Sequence, residues 1–179
     1  PTVEQYHPDD ANLDLLAAVL GGGAGSRLTK RLVHELQIAQ QVNVYQGSME
    51  RAGSFNIVVL ANPSGDLSAI AKVVDEELAK LKADGVTEAE LERARAGIES
   101  DLADALDSLG DKAQRLAGYT AAWGEPDGFE RDLKRYRTAT TKSVLDVAKR
   151  RLGVGRVVVS AVPPGQSKLA VVSPIGGAK

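Results

Sequence analysis

The sequence predicts an α+β fold, a two-layer sandwich with helices on one face of a mainly antiparallel sheet. Three observations lead there. Gln41–Gln46 and Ser54–Ala61 each alternate apolar and polar residues, and they lie close enough to pair as a hairpin. A third β-type run, Val157–Val162, lies near the far end and is stopped by Pro163-Pro164. Elsewhere the apolar residues recur at helical spacing.

The elements follow in order. Pro1–Asp9 carry two prolines and read as an extended lead-in, with Val3–Tyr6 available as a short strand. Asp9 or Asp10 caps the first helix, which buries Leu13, Leu16, Val19 and Leu20. Gly21, Gly22, Gly23 and Gly25 end it. Ser26 caps the next helix, whose stripe is Leu28, Leu32 and Leu36. A turn near Met49–Gly53 joins the two alternating segments, and Phe55, Ile57 and Val59 share a face of the second. Asn62-Pro63-Ser64-Gly65-Asp66 turns the chain into a helix marked by Leu67, Ile70, Val74, Leu78 and Leu81, closed by Asp84-Gly85.

Thr87-Glu88-Ala89-Glu90 is a capping box. It opens a long helix with Leu91, Ala94, Ile98, Leu102, Leu106 and Leu109 inward, broken by Gly110. Helices are expected at Ala113–Trp123, Phe129–Tyr136 and, behind a Thr140/Thr141 cap, Val144–Leu152. The tail Gly165–Lys179 is loose, with Leu169–Val172 a candidate added strand. No repeat or low-complexity linker divides residues 1–179, which read as one domain. Three strands are few for so many helices. Either Val3–Tyr6 joins the sheet, or part of the domain lies upstream of Pro1 and leaves an edge open to pairing.

Composition narrows the function. At 179 residues, 43% hydrophobic and 26% charged, the chain is ordinary globular protein. A net charge of -2 argues against nucleic acid or an acidic membrane as partner. No apolar run approaches bilayer length, so membrane insertion is not expected. Pro1 shows no charged-then-apolar leader, and its lack of an initiator Met suggests a processed or excised chain. With no cysteine there is no disulfide, thiolate metal site or cysteine nucleophile.

The residues assemble no catalytic group. The cluster Gly21-Gly22-Gly23-Ala24-Gly25-Ser26-Arg27 looks like a phosphate loop, but it follows a helix, puts Ser26 at the third glycine position and lacks Gly-Lys-Ser/Thr. His7 and His34 form neither H-E-x-x-H nor H-x-x-E-H, so no metal site is expected. Serines such as Ser26, Ser48 and Ser54 have no local base. Glu76, Glu77, Glu88, Glu90 and Glu92 beside Lys80, Lys82, Arg93 and Arg95 read as a solvated, charge-paired face. The basic run Arg131, Lys134, Arg135 and Arg137, broken by Glu130 and Asp132, reads the same way. An α+β domain working by contact remains.

One longer pattern goes further. His7-Pro8-Asp9-Asp10, Leu20-Gly-Gly-Gly-x-Gly-Ser26-Arg27-Leu28, Gly53-x-Phe55, Asn62-Pro63 and Gly85-Val86-Thr87-x-x-Glu90-Leu91 occur in this order. Together they resemble the non-metal-binding, C-terminal-type domain of the pitrilysin/insulinase (inverted zincin) zinc metallopeptidases, which include the mitochondrial processing peptidases. The resemblance runs from about Tyr6 to Val162.

It implies a processing-peptidase-like metallohydrolase fold in a longer, multidomain protein. A catalytic domain, on the same chain or a second subunit, would hold zinc on H-x-x-E-H; this segment would hold no cofactor. The domain would wall a chamber, touch the peptide substrate and pack on its catalytic partner. Some such domains carry an Arg and a Tyr that reach the active site; the matching places here hold Val33 and Gln40, which argues against a direct catalytic part. Gly21, Gly22, Gly23, Gly25, Ser26 and Arg27 are the candidate substrate-binding residues. Positive backbone φ in a helix–helix turn is the competing account of those glycines. The family favours a periplasmic location, and the isolated segment could self-associate. A structural subunit of the same fold, or an unrelated α+β ligand-binding module, are the rival readings.

Overall fold

α1 (Asp10–Gly21) is the hub of the molecule. Apolar residues sit on every side of it, and Ala11, Leu13, Leu15, Leu16, Ala17, Val19 and Leu20 are all buried, as expected for a helix hydrophobic all round. The computed structural model describes residues 1–171 apart from 64 and 154. The sheet lies along one side of α1, and later helices close around the others.

α2 (Arg27–Thr29) runs directly into a π-helical stretch, Lys30–Glu35. Leu28 and Leu32 are fully buried, as their spacing predicts, but Leu36 is 45% exposed. The wide turn explains the miss. The Leu36 N–H bonds to Arg31 O five residues back, so Leu36 no longer stands above Leu32.

β1 (Ala39–Ser48) and β2 (Gly53–Ala61) form an antiparallel hairpin longer at both ends than the sequence suggests. Val42 faces Val59, Val44 faces Ile57 and Gln46 faces Phe55 across the strands. These residues look toward the helices. Gln41, Asn43, Tyr45, Val58 and Leu60 look to solvent. Helices on one face of an antiparallel sheet is the predicted architecture.

α3 (Leu67–Asp84) has Asp66 as its cap, accepting from the Ser68 N–H, and Gly85 ends it at φ +79°. α4 (Glu88–Asp104) begins with the expected Thr87–Glu90 capping box. It ends earlier than expected, before Leu106 and Leu109. Gly110 does not break it; Ser108 caps the next helix, α5 (Leu109–Trp123), and Gly110 sits in the first turn of that helix. Leu109 is therefore 84% exposed rather than inward. α6 (Phe129–Arg137) and α7 (Thr141–Arg151) fall where expected, with Thr140 and Ser143 forming a second capping box.

Three strand expectations fail, and so does the Asp9 cap of α1. Val3–Tyr6 forms no strand; the one bridge in the lead-in, Thr2 to Gly53, lies just before it. Val157–Val162 forms no strand among the described residues, with Val157 and Val159 exposed. Alternation supplies the face of a strand but not its hydrogen-bond partner. In the expected Leu169–Val172 strand the chain forms a short 3₁₀ turn at Ser167–Leu169, and Val172 lies outside the described residues. Asp9 precedes α1 without capping it, because its carboxylate is taken by Arg150 and Arg151 of α7.

Candidate functional site

The glycine turn links α1 to α2 and uses its glycines for different reasons. Gly21 passes directly over β1: a Cβ there would lie 2.4 Å from Val44 Cγ2. At Gly22 it would lie 2.6 Å from the Ala18 carbonyl oxygen. Gly23 has open space around it but adopts φ +108°, a conformation L residues avoid. Gly25 needs neither; its neighbour is the Arg93 guanidinium at 3.7 Å. Positive φ thus explains one of the four.

Ser26 stands at the cap position of α2 yet does not cap it. Its hydroxyl donates back to Gly23 O at 2.7 Å and lies 2.9 Å from Thr29 Oγ1. Its N–H also bonds to Gly23 O, so the turn is closed on itself. Residues 22–25 are exposed, whereas Ser26 is buried.

Arg27 leaves the turn toward α4. Nε and Nη2 donate to Glu90 Oε1 and Oε2 at 2.6 and 2.7 Å, and Nη2 also donates to Gly85 O at 2.9 Å. Glu90 Oε2 additionally accepts from the Thr87 N–H and hydroxyl. The hydrogen bonds from Arg27, first among several causes, hold the Glu90 carboxyl down at about 2. This guanidinium is committed to the fold.

Beside the turn a cleft of about 240 Å³ opens between α1, β1 and α4, with Asp14, Ala18, Gly22, Val44, Gln46 and Ile98 on its walls. Asp14 Oδ2 accepts from the Tyr136 hydroxyl of α6 at 2.9 Å. Burial, with help from the nearby Asp10 charge, pushes the Asp14 carboxyl up to about 7 against that hydrogen bond. Asp10 accepts from Arg135 and from the Tyr6 N–H, while Asp132 accepts from Tyr119. Burial and the Asp132 charge push the Tyr119 phenol up to about 12. Tyr119 in turn stacks on Trp123 at 5.2 Å.

The predicted charge-paired face is only partly solvated. Glu77 is buried with Arg31 and Lys80 as partners, and Glu90 is held by Arg27. Arg95 donates to the carbonyls of Tyr136 and Ala139. In the basic run, Arg135 is partly buried between Asp10 and Asp132.

Val33 lies half-buried and Gln40 is exposed on β1. His7 accepts at Nδ1 from the Asp9 N–H, and His34 is exposed on the π-helical stretch. Among the described residues no three His, Cys, Asp or Glu side chains come together as a metal site.

A family model described as "Peptidase M16 inactive domain" matches residues 1–98, a span holding both the glycine turn and Glu90. The chain belongs to this family. The M16 inactive domain is 30% identical over 113 residues to the zinc protease PqqE of Helicobacter pylori, matching 63% of this chain and 26% of that protein. It is 27% identical over 158 residues to an uncharacterised zinc protease of Streptomyces coelicolor, matching 88% of this chain and 34% of that one. The domain thus spans about a quarter to a third of these relatives.

Among solved structures, a protease from Helicobacter pylori superposes with a TM-score of 0.74 at 25% identity, over 83% of this chain and 36% of that one. The periplasmic protease PqqL from Escherichia coli shares the fold at a TM-score of 0.62 and 16% identity, over 84% and 16% of the two chains. In this M16 inactive domain the sequence brought forward the turn and Arg27. It missed the Asp14–Tyr136 and Asp10–Arg135–Asp132 contacts, because Asp14 reads as a polar position on an apolar helix and its partners lie far along the chain. A lone acid between Leu13 and Leu15 was the available signal.

Proposed function

We propose that this M16 domain serves a zinc metalloendopeptidase as chamber wall, peptide-contacting surface and interface to a zinc-bearing catalytic domain. The domain is one segment of a longer protein, and the zinc site lies on the catalytic domain, on the same chain or a second subunit. The carrying observation is the exposed backbone of residues 22–25 beside an open cleft, in a domain whose family is built around peptide hydrolysis. Peptide contact falls to Gly21, Gly22, Gly23 and Gly25, whose bare backbone and lack of side chains let an extended chain approach closely. Ser26 and Arg27 hold the turn in shape. With Val33 and Gln40 where relatives place an Arg and a Tyr, no side chain here joins the chemistry. A periplasmic setting accords with the location named for the Escherichia coli neighbour; no helix of the described residues is long and apolar enough to cross a membrane.

The test is hydrolysis of an unstructured peptide library by the purified chain alone and by the zinc-bearing parent. The expected result is chelator-sensitive cleavage by the parent and none by the chain. Zinc-dependent cleavage by the chain alone would overturn the assignment. Parent activity unchanged by bulky substitution at Gly22 or Gly25, in protein that folds normally, would remove the turn from the peptide path.

A further inference from the structure

The cleft between α1, β1 and α4 holds a carboxyl group that the fold does not use up. Its walls are largely apolar, with Ala18 of α1, Val44 of β1 and Ile98 of α4. Two of its polar side chains are already engaged. The Gln46 amide exchanges hydrogen bonds with the Thr2 hydroxyl at 3.0 and 2.8 Å. The Tyr136 hydroxyl donates to Asp14 Oδ2 at 2.9 Å and accepts from Arg135 Nη2 at 3.4 Å. Asp14 itself is different. Among the described residues Tyr136 is its one donor, so Oδ1 stands without a partner at the cleft wall.

Behind that wall the charges balance only while Asp14 keeps its proton. Asp10 and Asp132 share Arg135, at 3.4 and 3.1 Å, and Arg115 of α5 stands 4.0 Å from Asp132. Two guanidiniums thus answer two carboxylates. Asp14 is a third acid, and among the described residues no cation forms an ion pair with it. The remaining titratable groups nearby are Tyr136 itself, Tyr45 of β1 at the rim, and Arg95 of α4, which donates to the Tyr136 carbonyl. Burial and the Asp10 charge accordingly hold the Asp14 carboxyl up at about 7.

We propose that the cleft is a binding site for an organic cation on an aliphatic stem, an alkylammonium or alkylguanidinium group, with Asp14 as its counter-ion. The volume of about 240 Å³ equals about eight waters at roughly 30 Å³ each. That admits a short aliphatic chain and falls below the roughly 300 Å³ at which drug-sized ligands are held. Ala18, Val44 and Ile98 pack on the stem while the charged head reaches Asp14 Oδ1. An anion would meet a carboxyl and no free cation. A metal ion would need several oxygen ligands, and among the described residues no three acidic or imidazole side chains gather.

Binding is an exchange of one charge for another. The incoming head brings one positive charge, and the Asp14 carboxyl releases its proton to solvent, so the buried charge stays balanced. The cleft reaches the exposed backbone at Gly22. The stem therefore belongs either to a free amine or to a lysine or arginine side chain of a polypeptide lying there.

The test is an NMR titration of the isotope-labelled protein with n-pentylamine, which stays charged between pH 6 and 8. Saturable shifts of the Ala18, Gly22 and Val44 amide signals are expected. The affinity should be about ten-fold higher at pH 8 than at pH 6, because the amine pairs with the ionised form of a carboxyl titrating near 7. Asp14→Asn keeps an acceptor for Tyr136 and should lose most of the affinity and all of its pH dependence. n-Pentanol has the same stem without the charge and should not saturate the site. Absence of saturable shifts, equal binding of n-pentanol, or undiminished binding by Asp14→Asn each overturns the proposal. A peptide with a single lysine, set against the same peptide with norleucine, identifies the source. Preference for the lysine peptide assigns the cleft to a polypeptide side chain, and amine binding without it assigns the cleft to free amines. Equal binding of the norleucine peptide overturns the cation. Binding is read without proteolysis, so the result stands or falls separately from the metallopeptidase reading.

Discussion

Arg27 and Glu90 are joined by two parallel charge-assisted hydrogen bonds of 2.6 and 2.7 Å. This single contact fastens the glycine turn to the capping box that opens α4. It ties Gly-Gly-Gly-x-x-Ser-Arg-Leu to Gly-Val-Thr-x-x-Glu-Leu in this chain: each supplies one half of a fork-to-fork pair, with Gly85 O as a third acceptor.

Breaking that pair should be costly. Arg27→Lys loses the planar fork, and Glu90→Gln loses the charge and the second acceptor. Each is expected to lower stability by about 1–3 kcal/mol, with strong non-additivity in the double variant. Urea unfolding of the four proteins at pH 7 measures this. Additive effects would mean the two side chains act separately.

The same pair makes a pH prediction. Glu90 titrates near 2 in the folded chain against an ordinary value of 4.5. A lowered carboxyl contributes stability that is complete above the ordinary value and is lost as pH falls through the folded one. The gap between wild type and Glu90→Gln should therefore narrow between about pH 4.5 and 2. A gap that stays constant over that window would contradict the shift.

Asp14 has the opposite sign. Its carboxyl is raised from 3.8 to about 7 by burial, so the folded chain resists ionising it and loses stability as pH rises through that window. Asp14→Asn keeps an acceptor for Tyr136 and removes the charge. It should be more stable than wild type at pH 8 by roughly 2 kcal/mol and nearly equal to it at pH 4. Equal stabilities at pH 8 would show that Asp14 ionises freely.

The three kinds of glycine should separate on substitution by alanine. Gly21→Ala forces a Cβ into Val44 and is expected to cost about 1–3 kcal/mol. Gly23→Ala has room but must hold φ +108°, at about 1–2 kcal/mol. Gly25→Ala meets only ordinary contacts and should be close to neutral. Thermal unfolding of the three variants ranks them, and a Gly25 variant as unstable as Gly21 would refute the distinction.

Tyr119 offers a further check through the single tryptophan. Its hydroxyl donates to Asp132 at 3.0 Å inside the molecule. Tyr119→Phe leaves that carboxylate short of a donor and should cost about 1–3 kcal/mol. The ring stacked on Trp123 stays in place, so the folded-state fluorescence spectrum should stay nearly unchanged. A spectral shift in the folded protein would mean the ring had moved.

The helices were legible where local chemistry decides them. Thr87 and Glu90 close a capping box between neighbours, and Gly85 and Gly124 take positive φ where the helices end. The failures have a common physical form, a local signal overridden by a distant group. Asp9 would cap α1 but for Arg150 and Arg151 reaching it from α7. Leu36 follows the heptad-like stripe until the π turn rotates it outward. Val157–Val162 alternates correctly, yet a strand is made by its neighbour and none stands beside it among the described residues. In the site, the glycines were visible from sequence but their reasons were not, since Gly21 answers to Val44 on β1 and not to its own φ.

The turn between α1 and α2 is bonded to itself at both ends: Gly22 N–H to Ala18 O, Gly23 N–H to Gly21 O, and Ser26 N–H and hydroxyl to Gly23 O. Such a bracket has few alternative shapes to give up. A polypeptide laid against it meets a preorganised backbone, and the ordering cost of contact falls on the incoming chain alone. Selectivity at such a surface is a matter of which sequences extend readily, so disordered or unfolded segments would be preferred over folded ones without any side chain here reading them.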